Sequence, residues 1–292
     1  MKRGLAVVLL TVAGFSVPAS AVLIDEWVAD DLVGLGDGAT VDTWDSTNGL
    51  TVGDNIAGHR RPTLVLGSFN GRAGVRFDGG GATGNEGDFL RSPDAGTNNP
   101  LSGAEDYSIA VVFRAKSGGA NIAGSTQWWG KSGIVDSGEG GAQAEYGLAI
   151  GDQGVLWAGH GNPDASPSGG GSVVGPQGHV AIMTEKNGKV TLWLDGANVA
   201  SDINGSTDPR RTDGSMTFGC LNDAIFGGFA RCSNVDIGQV SFYDNGLNRT
   251  AVRNTTNYLA ASYGVVPEPS TMAVMAAIGL GGGAFARRRR RA

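Results

Sequence analysis

Trp128 and Trp129 stand side by side in a Gly-rich, polar stretch between strand-like runs, and flat rings in such a setting offer the C–H face of a sugar a stacking surface at low entropic cost. Trp157 and Tyr146, on neighbouring strand candidates, are further candidates for the same surface. Adjacent strand residues point to opposite faces, so one member of the Trp128–Trp129 pair can instead serve the core. Three acids in loop-like sequence, Asp136, Glu139 and Asp152, could hold Ca²⁺ with backbone carbonyls or act as solvated surface charge. For catalysis the inventory is poor. Glu145 precedes the run Tyr146 to Ile150 with no second acid on it, and a strand would turn the neighbours Asp25 and Glu26 to opposite faces. Only carboxylates from separate strands could converge into an acid–base pair. His59, His160 and His179 are scattered without metal-ligand spacing and read as loop or strand-end residues. Gly79 to Gly84 satisfies G-x-G-x-x-G, but Phe89-Leu90 beyond it is strand-like where a dinucleotide site needs a helix. Gly124 to Ser132 has five residues between its glycines where a phosphate loop has four, so nucleotide binding has no support.

The elements that carry these residues are strands. Tyr107, Ile109, Val111 and Phe113 alternate with Ser108, Ala110, Val112 and Arg114, and Val190, Leu192 and Leu194 alternate with Thr191, Trp193 and Asp195. Further strand candidates run over Val75 to Phe77, Tyr146 to Ile150, Gly154 to Ala158, His179 to Thr184, Ser215 to Phe218 and Val235 to Tyr243. Asn187-Gly188 between two such runs is a hairpin signal, and Asp195-Gly196 ends the second run. Many short strands and 50 glycines predict an all-β sandwich rather than an α/β fold. One helix is expected from Asn248 to Ser262, with Leu247, Ala251, Val252, Thr255 and Leu259 along one face, closing the domain. Cys220 and Cys232 lie in an exported chain, where a disulfide is the default, worth roughly 2 to 3 kcal/mol by loop-closure entropy.

Export is read from the two ends. Lys2 and Arg3 precede the apolar run Leu5 to Ala13, and Ala19-Ser20-Ala21 supplies small residues at the cleavage positions, so residues 1–21 read as a secretory signal peptide for the Sec machinery. At the other end stand Pro267, Glu268 and Pro269, then an apolar stretch of 15 residues from Met272 to Ala286, then five arginines beginning Arg287, Arg288 and Arg289. Two prolines around an acid keep the triplet extended and accessible. With Ser270, Thr271 and snorkelling arginines the apolar stretch makes a marginal membrane span, and the arginines place everything before it outside the cytoplasm. This order resembles the PEP-CTERM sorting signal, over residues 265–292. The resemblance implies recognition in the inner membrane by an exosortase, transient insertion there, and delivery to the surface or exterior of a Gram-negative bacterium that makes exopolysaccharide. With both labels gone, 22 basic and 28 acidic residues become 15 and 27, near −12, which disfavours nucleic acid and anionic membranes.

Between the labels, Trp44-Asp45-Ser46-Thr47-Asn48-Gly49, Arg61-Pro62-Thr63-Leu64, Asn70-Gly71 and Val75-Arg76-Phe77-Asp78-Gly79 resemble the opening of a LamG-like jelly roll in the concanavalin A-like lectin and glucanase superfamily. The strand Tyr107 to Phe113, the hairpin Val190 to Gly196, and Val240-Ser241-Phe242-Tyr243 with the helix ending Tyr258-Leu259-Ala260 extend the likeness across residues 22–264. It implies two antiparallel sheets packed face to face, with ligand sites on a concave face or rim loops, and Trp44 and Trp193 as packing residues. The glucanases of that superfamily carry Glu-x-Asp-x-x-Glu or a similar run on one strand, and no such run exists here. The expectation is a non-catalytic exported domain that binds carbohydrate or matrix, with a structural matrix protein or a cryptic polysaccharide hydrolase as alternatives.

Overall fold

The structure is a computed structural model describing residues 21–53, 60–79, 87–93, 99–119, 125–138, 145–161, 164–209, 214–221 and 231–265. Residues 1–20 of the expected leader, residues 266–292 of the sorting tail with its expected membrane span, Glu139 and His59 lie outside the described residues. Along the chain run β1 (Leu23–Val28), β2 (Thr43–Asp45), β3 (Thr51–Gly53), β4 (Thr63–Phe69), β5 (Arg72–Phe77), β6 (Leu90–Arg91), β7 (Tyr107–Ala115) and β8 (Ser132–Asp136). Then come β9 (Tyr146–Ile150), β10 (Val155–His160), β11 (Ser168–Ser172), β12 (His179–Lys186), β13 (Lys189–Leu194), β14 (Ala197–Asp202), β15 (Thr217–Phe218), β16 (Val235–Tyr243) and helix α1 (Arg249–Tyr263).

Two eight-stranded sheets form, and their named strands pair antiparallel. Sheet 1 has the order β14-β13-β12-β7-β16-β5-β4, with β1 also paired to β16; sheet 2 has the order β11-β10-β9-β8-β15-β6-β3-β2. The core lies between them. Tyr107, Ile109, Val111 and Phe113 of β7 face Leu148, Ile150 and Leu156 of sheet 2 across one buried cluster. Phe218 stands edge-on to Trp27 at 5.4 Å and to Trp44 at 5.7 Å, a geometry worth about 0.5–1.5 kcal/mol per pair beyond area burial.

A second apolar layer covers the other side of sheet 1. Ala110, Val112, Val180, Ile182 and Trp193 pack against Val252, Leu259, Ala260 and Tyr263 of α1, which is why β7 is apolar on both faces. Asn248 caps α1 by accepting from Ala251 N at 3.0 Å, and Gly264 ends it at φ 63°. The helix buries Val252, Thr256, Leu259, Ala260 and Tyr263, so its inner face is rotated from the expected one: Ala251 and Thr255 are only half-buried.

Three Asx-Gly pairs turn the hairpins: Asn70-Gly71 joins β4 to β5, Asn187-Gly188 joins β12 to β13, and Asp195-Gly196 joins β13 to β14, all at positive φ as tight hairpin turns require. Asp25, which the sequence leaves without a catalytic partner, has structural work. Its carboxylate accepts from Ser46 Oγ at 2.8 Å, Asn48 N at 3.2 Å and Thr47 Oγ1 at 3.3 Å, pinning the β2–β3 turn to β1. Cys220 and Cys232 form the disulfide expected of them. Beside the β1–β16 pair, Val22 N donates to Asp244 Oδ1 at 2.7 Å and Asp244 N donates to Val22 O at 3.1 Å.

Candidate tryptophan face on sheet 2

β9 and β10 turn Tyr146, Leu148, Leu156 and Ala158 into the core, which leaves Gly147, Ala149, Trp157 and Gly159 on the outer face. Gly147 and Gly159 are opposite each other in register, and their missing side chains make a floor. Trp128 lies on that floor: a β-carbon at Gly159 would stand 1.8 Å from its Cγ, and one at Gly147 would stand 2.3 Å from its Cζ3. The indole is 1% exposed, and its Nε1 has no hydrogen-bond acceptor among the described residues. This corrects the expectation of a ligand-stacking Trp128, which is instead the anchor of the turn Trp128–Gly130 on the sheet. Tyr146 is corrected likewise. Its side chain is inside the sandwich, where its hydroxyl donates to Asn99 Oδ1 at 2.7 Å, because its place in the alternation is opposite to that of Trp157.

Trp129 and Trp157 remain half-buried at the surface, flanking the anchored ring. Trp157 sits two residues before Gly159, hence about 7 Å along the strand. Trp129 Nε1 donates to Asp164 Oδ2 at 3.1 Å, beyond the other end of β10. Ser166 braces the turn: Trp128 N donates to its Oγ at 3.2 Å, its Oγ donates to Gln127 Oε1, and its own N donates to Asp202 Oδ2 at 3.2 Å. Lys131 Nζ stands 4.5 Å above the Trp157 ring and donates to Ser125 O at 2.8 Å. Burial holds the Lys131 ammonium below the usual lysine pKa, opposed by the nearby Asp152 carboxylate and reinforced by Arg231. The two rings are thus held on a fixed sheet, with Lys131 occupying one face of Trp157.

The expected calcium trio does not assemble. Ser132 pairs with Ile150 and Asp136 with Gly147, so Asp152, two residues past Ile150, lies beyond the end of β8 opposite Asp136, an end that is itself about 13 Å from Asp136. Asp136 is buried and accepts from Gly138 N at 3.1 Å, and Glu139 lies outside the described residues. Among the described residues no group of three His, Cys, Asp or Glu is placed to hold a metal ion. His160 ends β10 in the interior, stacked on Tyr107 with its Nδ1 2.9 Å from the Tyr107 hydroxyl, and His179 begins β12 with its Nδ1 2.8 Å from Asp195 Oδ2.

Two acids come near each other from beyond the ends of separate strands. Glu145 precedes β9 and Asp164 follows β10, with Gly161 N donating to Glu145 O at 2.9 Å between them. A β-carbon on Gly161 would stand 3.4 Å from both Asp164 Oδ1 and Glu145 Cβ, so the glycine keeps the gap clear. Only the strand register brings this pair into view, since nineteen residues of sequence separate its members.

The molecule is a two-sheet jelly-roll sandwich, and solved structures share that fold at low identity. The binding domain of Paraclostridial Mosquitocidal Protein 1 superposes with TM-score 0.54 at 13% identity, over 81% of this chain and 52% of that one. Trypanosoma rangeli sialidase in complex with 2,3-difluorosialic acid gives 0.52 at 14%, over 82% and 33%. The binding domain of botulinum neurotoxin DC in complex with SialylT gives 0.51 at 12%, over 82% and 51%. The chain therefore spans about half, or less, of the length of these proteins. Among curated proteins none matches it. Residues 265–291 match the PEP-CTERM protein-sorting motif, which implies processing by an exosortase and export through a membrane-anchored precursor.

Proposed function

We propose that this chain is an exported, non-catalytic domain that binds polysaccharide outside the cell, through Trp129 and Trp157 on the outer face of sheet 2. The observation that carries the reading is the placement of these two rings: half-buried, on either side of an anchored third tryptophan, beside the hydrogen-bonding groups of Asp164 and Lys131. Rigid aromatic surface flanked by a few polar groups is what a sugar needs, since stacking takes its C–H face and the polar groups take its hydroxyls. The sorting motif supports delivery to the surface of a Gram-negative cell, and two proteins that share the fold over part of their length are solved in complex with SialylT or with 2,3-difluorosialic acid, which is compatible with a saccharide ligand here. A glycan array and a pull-down with the producer's own polysaccharide, each with and without Ca²⁺, test it. Trp129→Ala with Trp157→Ala should weaken retention at least about tenfold, roughly 1.4 kcal/mol, at an unchanged melting temperature. A folded domain that retains no glycan, or a double variant that retains it undiminished, would favour a structural matrix role.

A second reading has its own observation. Glu145 and Asp164 across Gly161 are two carboxylates next to an aromatic ring, the residue types of a glycoside hydrolase. Release of reducing ends from β-glucans, abolished by Glu145→Gln, would establish it and displace the binding role.

A further inference from the structure

On the outer face of sheet 1, beyond the strip that α1 covers, the register sets Asp236 of β16 between Arg76 of β5 and Arg114 of β7. The Asp236 carboxylate is fully buried, and its partners crowd it. Arg76 Nε donates to Oδ1 at 2.9 Å, Ser68 Oγ donates to Oδ2 at 2.8 Å, Arg114 Nη2 donates to Oδ2, and Lys116 Nζ lies 3.4 Å from Oδ1. Neutralising one buried carboxylate takes one cation, and here there are three. They keep solvent contact, with side-chain exposures of 29% for Arg76, 22% for Arg114 and 29% for Lys116. The Arg114 guanidinium lies over the Phe69 ring at 5.7 Å, its Nε and Nη1 have no hydrogen-bond acceptor among the described residues, and Lys116 has no acid partner there besides Asp236. Asp236 thus acts as a pedestal that fixes cationic donors without exhausting them. Asp78 and Asp37 attract Arg76 from nearby, which leaves Arg114 and Lys116 as two cations sharing the one Asp236 carboxylate.

We propose that Arg114 and Lys116, with Arg76, form a carboxylate-binding site for acidic polysaccharide, on the opposite side of the sandwich from the tryptophan face; this rests on the carbohydrate-binding role proposed above. The occupant follows from charge and from place. The donors suit a carboxylate because guanidinium and ammonium groups give it charge-assisted hydrogen bonds. The excess of acid over the whole domain does not veto the contact, since at physiological salt fields fade over about 8 Å and the local cations govern at touching distance. A polymer of hexuronic acid repeats its carboxylate, so contacts that are weak singly gain by effective concentration. One domain holding polymer on both faces would cross-link chains.

Affinity electrophoresis of the exported chain in gels of polygalacturonate or neutral dextran, at low and high salt, tests the site. Lys116→Gln removes the longest of the contacts to Asp236 and should leave the fold intact; Arg76→Gln is the second variant. Each should weaken polygalacturonate retention about threefold, and the pair about tenfold with a flatter salt dependence, while dextran retention is unchanged. Saturation with polygalacturonate should also slow amide exchange in β7 and β16 around Arg114. Retention of polygalacturonate undiminished in variants of unchanged melting temperature overturns the proposal, as does amide exchange that polygalacturonate leaves unaltered. A wild-type chain that retains dextran but not polygalacturonate overturns it and leaves the tryptophan face standing; one that retains neither overturns both.

Discussion

Burial drives the Asp236 carboxyl toward a higher pKa, but hydrogen bonds from Arg76, Arg114 and Ser68 and the charge of Lys116 outweigh it, and the group falls from 3.8 to about 2. The unfolded chain therefore takes up this proton before the folded one does. The resulting stability is complete above about pH 4 and drains away as pH falls toward 2. Asp88 goes the other way. Burial, with repulsion from Asp78, raises it from 3.8 to about 6 against a backbone hydrogen bond from Asp78 and the attraction of Arg60. The folded state keeps that proton longer, so stability declines as pH climbs from about 4 to about 6 and is level beyond. Urea unfolding across this range should show both slopes: Asp88→Asn should abolish the decline and raise stability at neutral pH, and Asp236→Asn should cost roughly 3 kcal/mol at pH 7 and erase the acid loss. Neither behaviour is legible in the sequence, because Asp88 and Asp236 look like any other acid until the register supplies their neighbours.

At the level of elements, the turn that carries Trp129 depends on two glycines in other strands. Gly159→Ala would drive a methyl into the Trp128 ring and lift the turn, at a cost of about 3 kcal/mol, the range of losing a buried aromatic. Glycan retention should fall with it although no ligand-contacting residue has changed, and thermal melting beside a binding assay would register both losses. Reduction of the Cys220–Cys232 bridge should cost about 2 to 3 kcal/mol in the same melting experiment. The strands with side chains to alternate were legible: β7, β9, β12, β13 and β16 stand where the pattern sets them, and Asn187-Gly188 turns as its residues demand. β11 was not, since Ser168-Gly169-Gly170-Gly171-Ser172 has no apolar face to repeat and is a strand only because β10 offers it a partner. The same limit hid the difference between Tyr146 and Trp157. Both belong to neighbouring strands, and only the pairing of Trp157 with Ala149 sends one inward and the other out.

Across the whole molecule, the sorting signal was readable and the proposed binding face was not, and the reason is physical. A triplet, an apolar run and an arginine cluster act in linear order, whereas a binding face is assembled from strands distant in sequence. Replacing Pro267, Glu268 and Pro269 with alanine should leave an unprocessed, membrane-bound precursor in a host that has exosortase, visible by immunoblot of membrane and extracellular fractions. The contact between Val22 and Asp244 gives export a second consequence. Were the chain cleaved after Ala21, the Val22 amide that meets the Asp244 carboxylate at 2.7 Å would become an ammonium, and a hydrogen bond from an uncharged donor would turn into an ion pair at the same spot. Maturation would then fasten the first strand at the moment the leader lets go, so that the trimmed protein resists fraying which its own precursor tolerates.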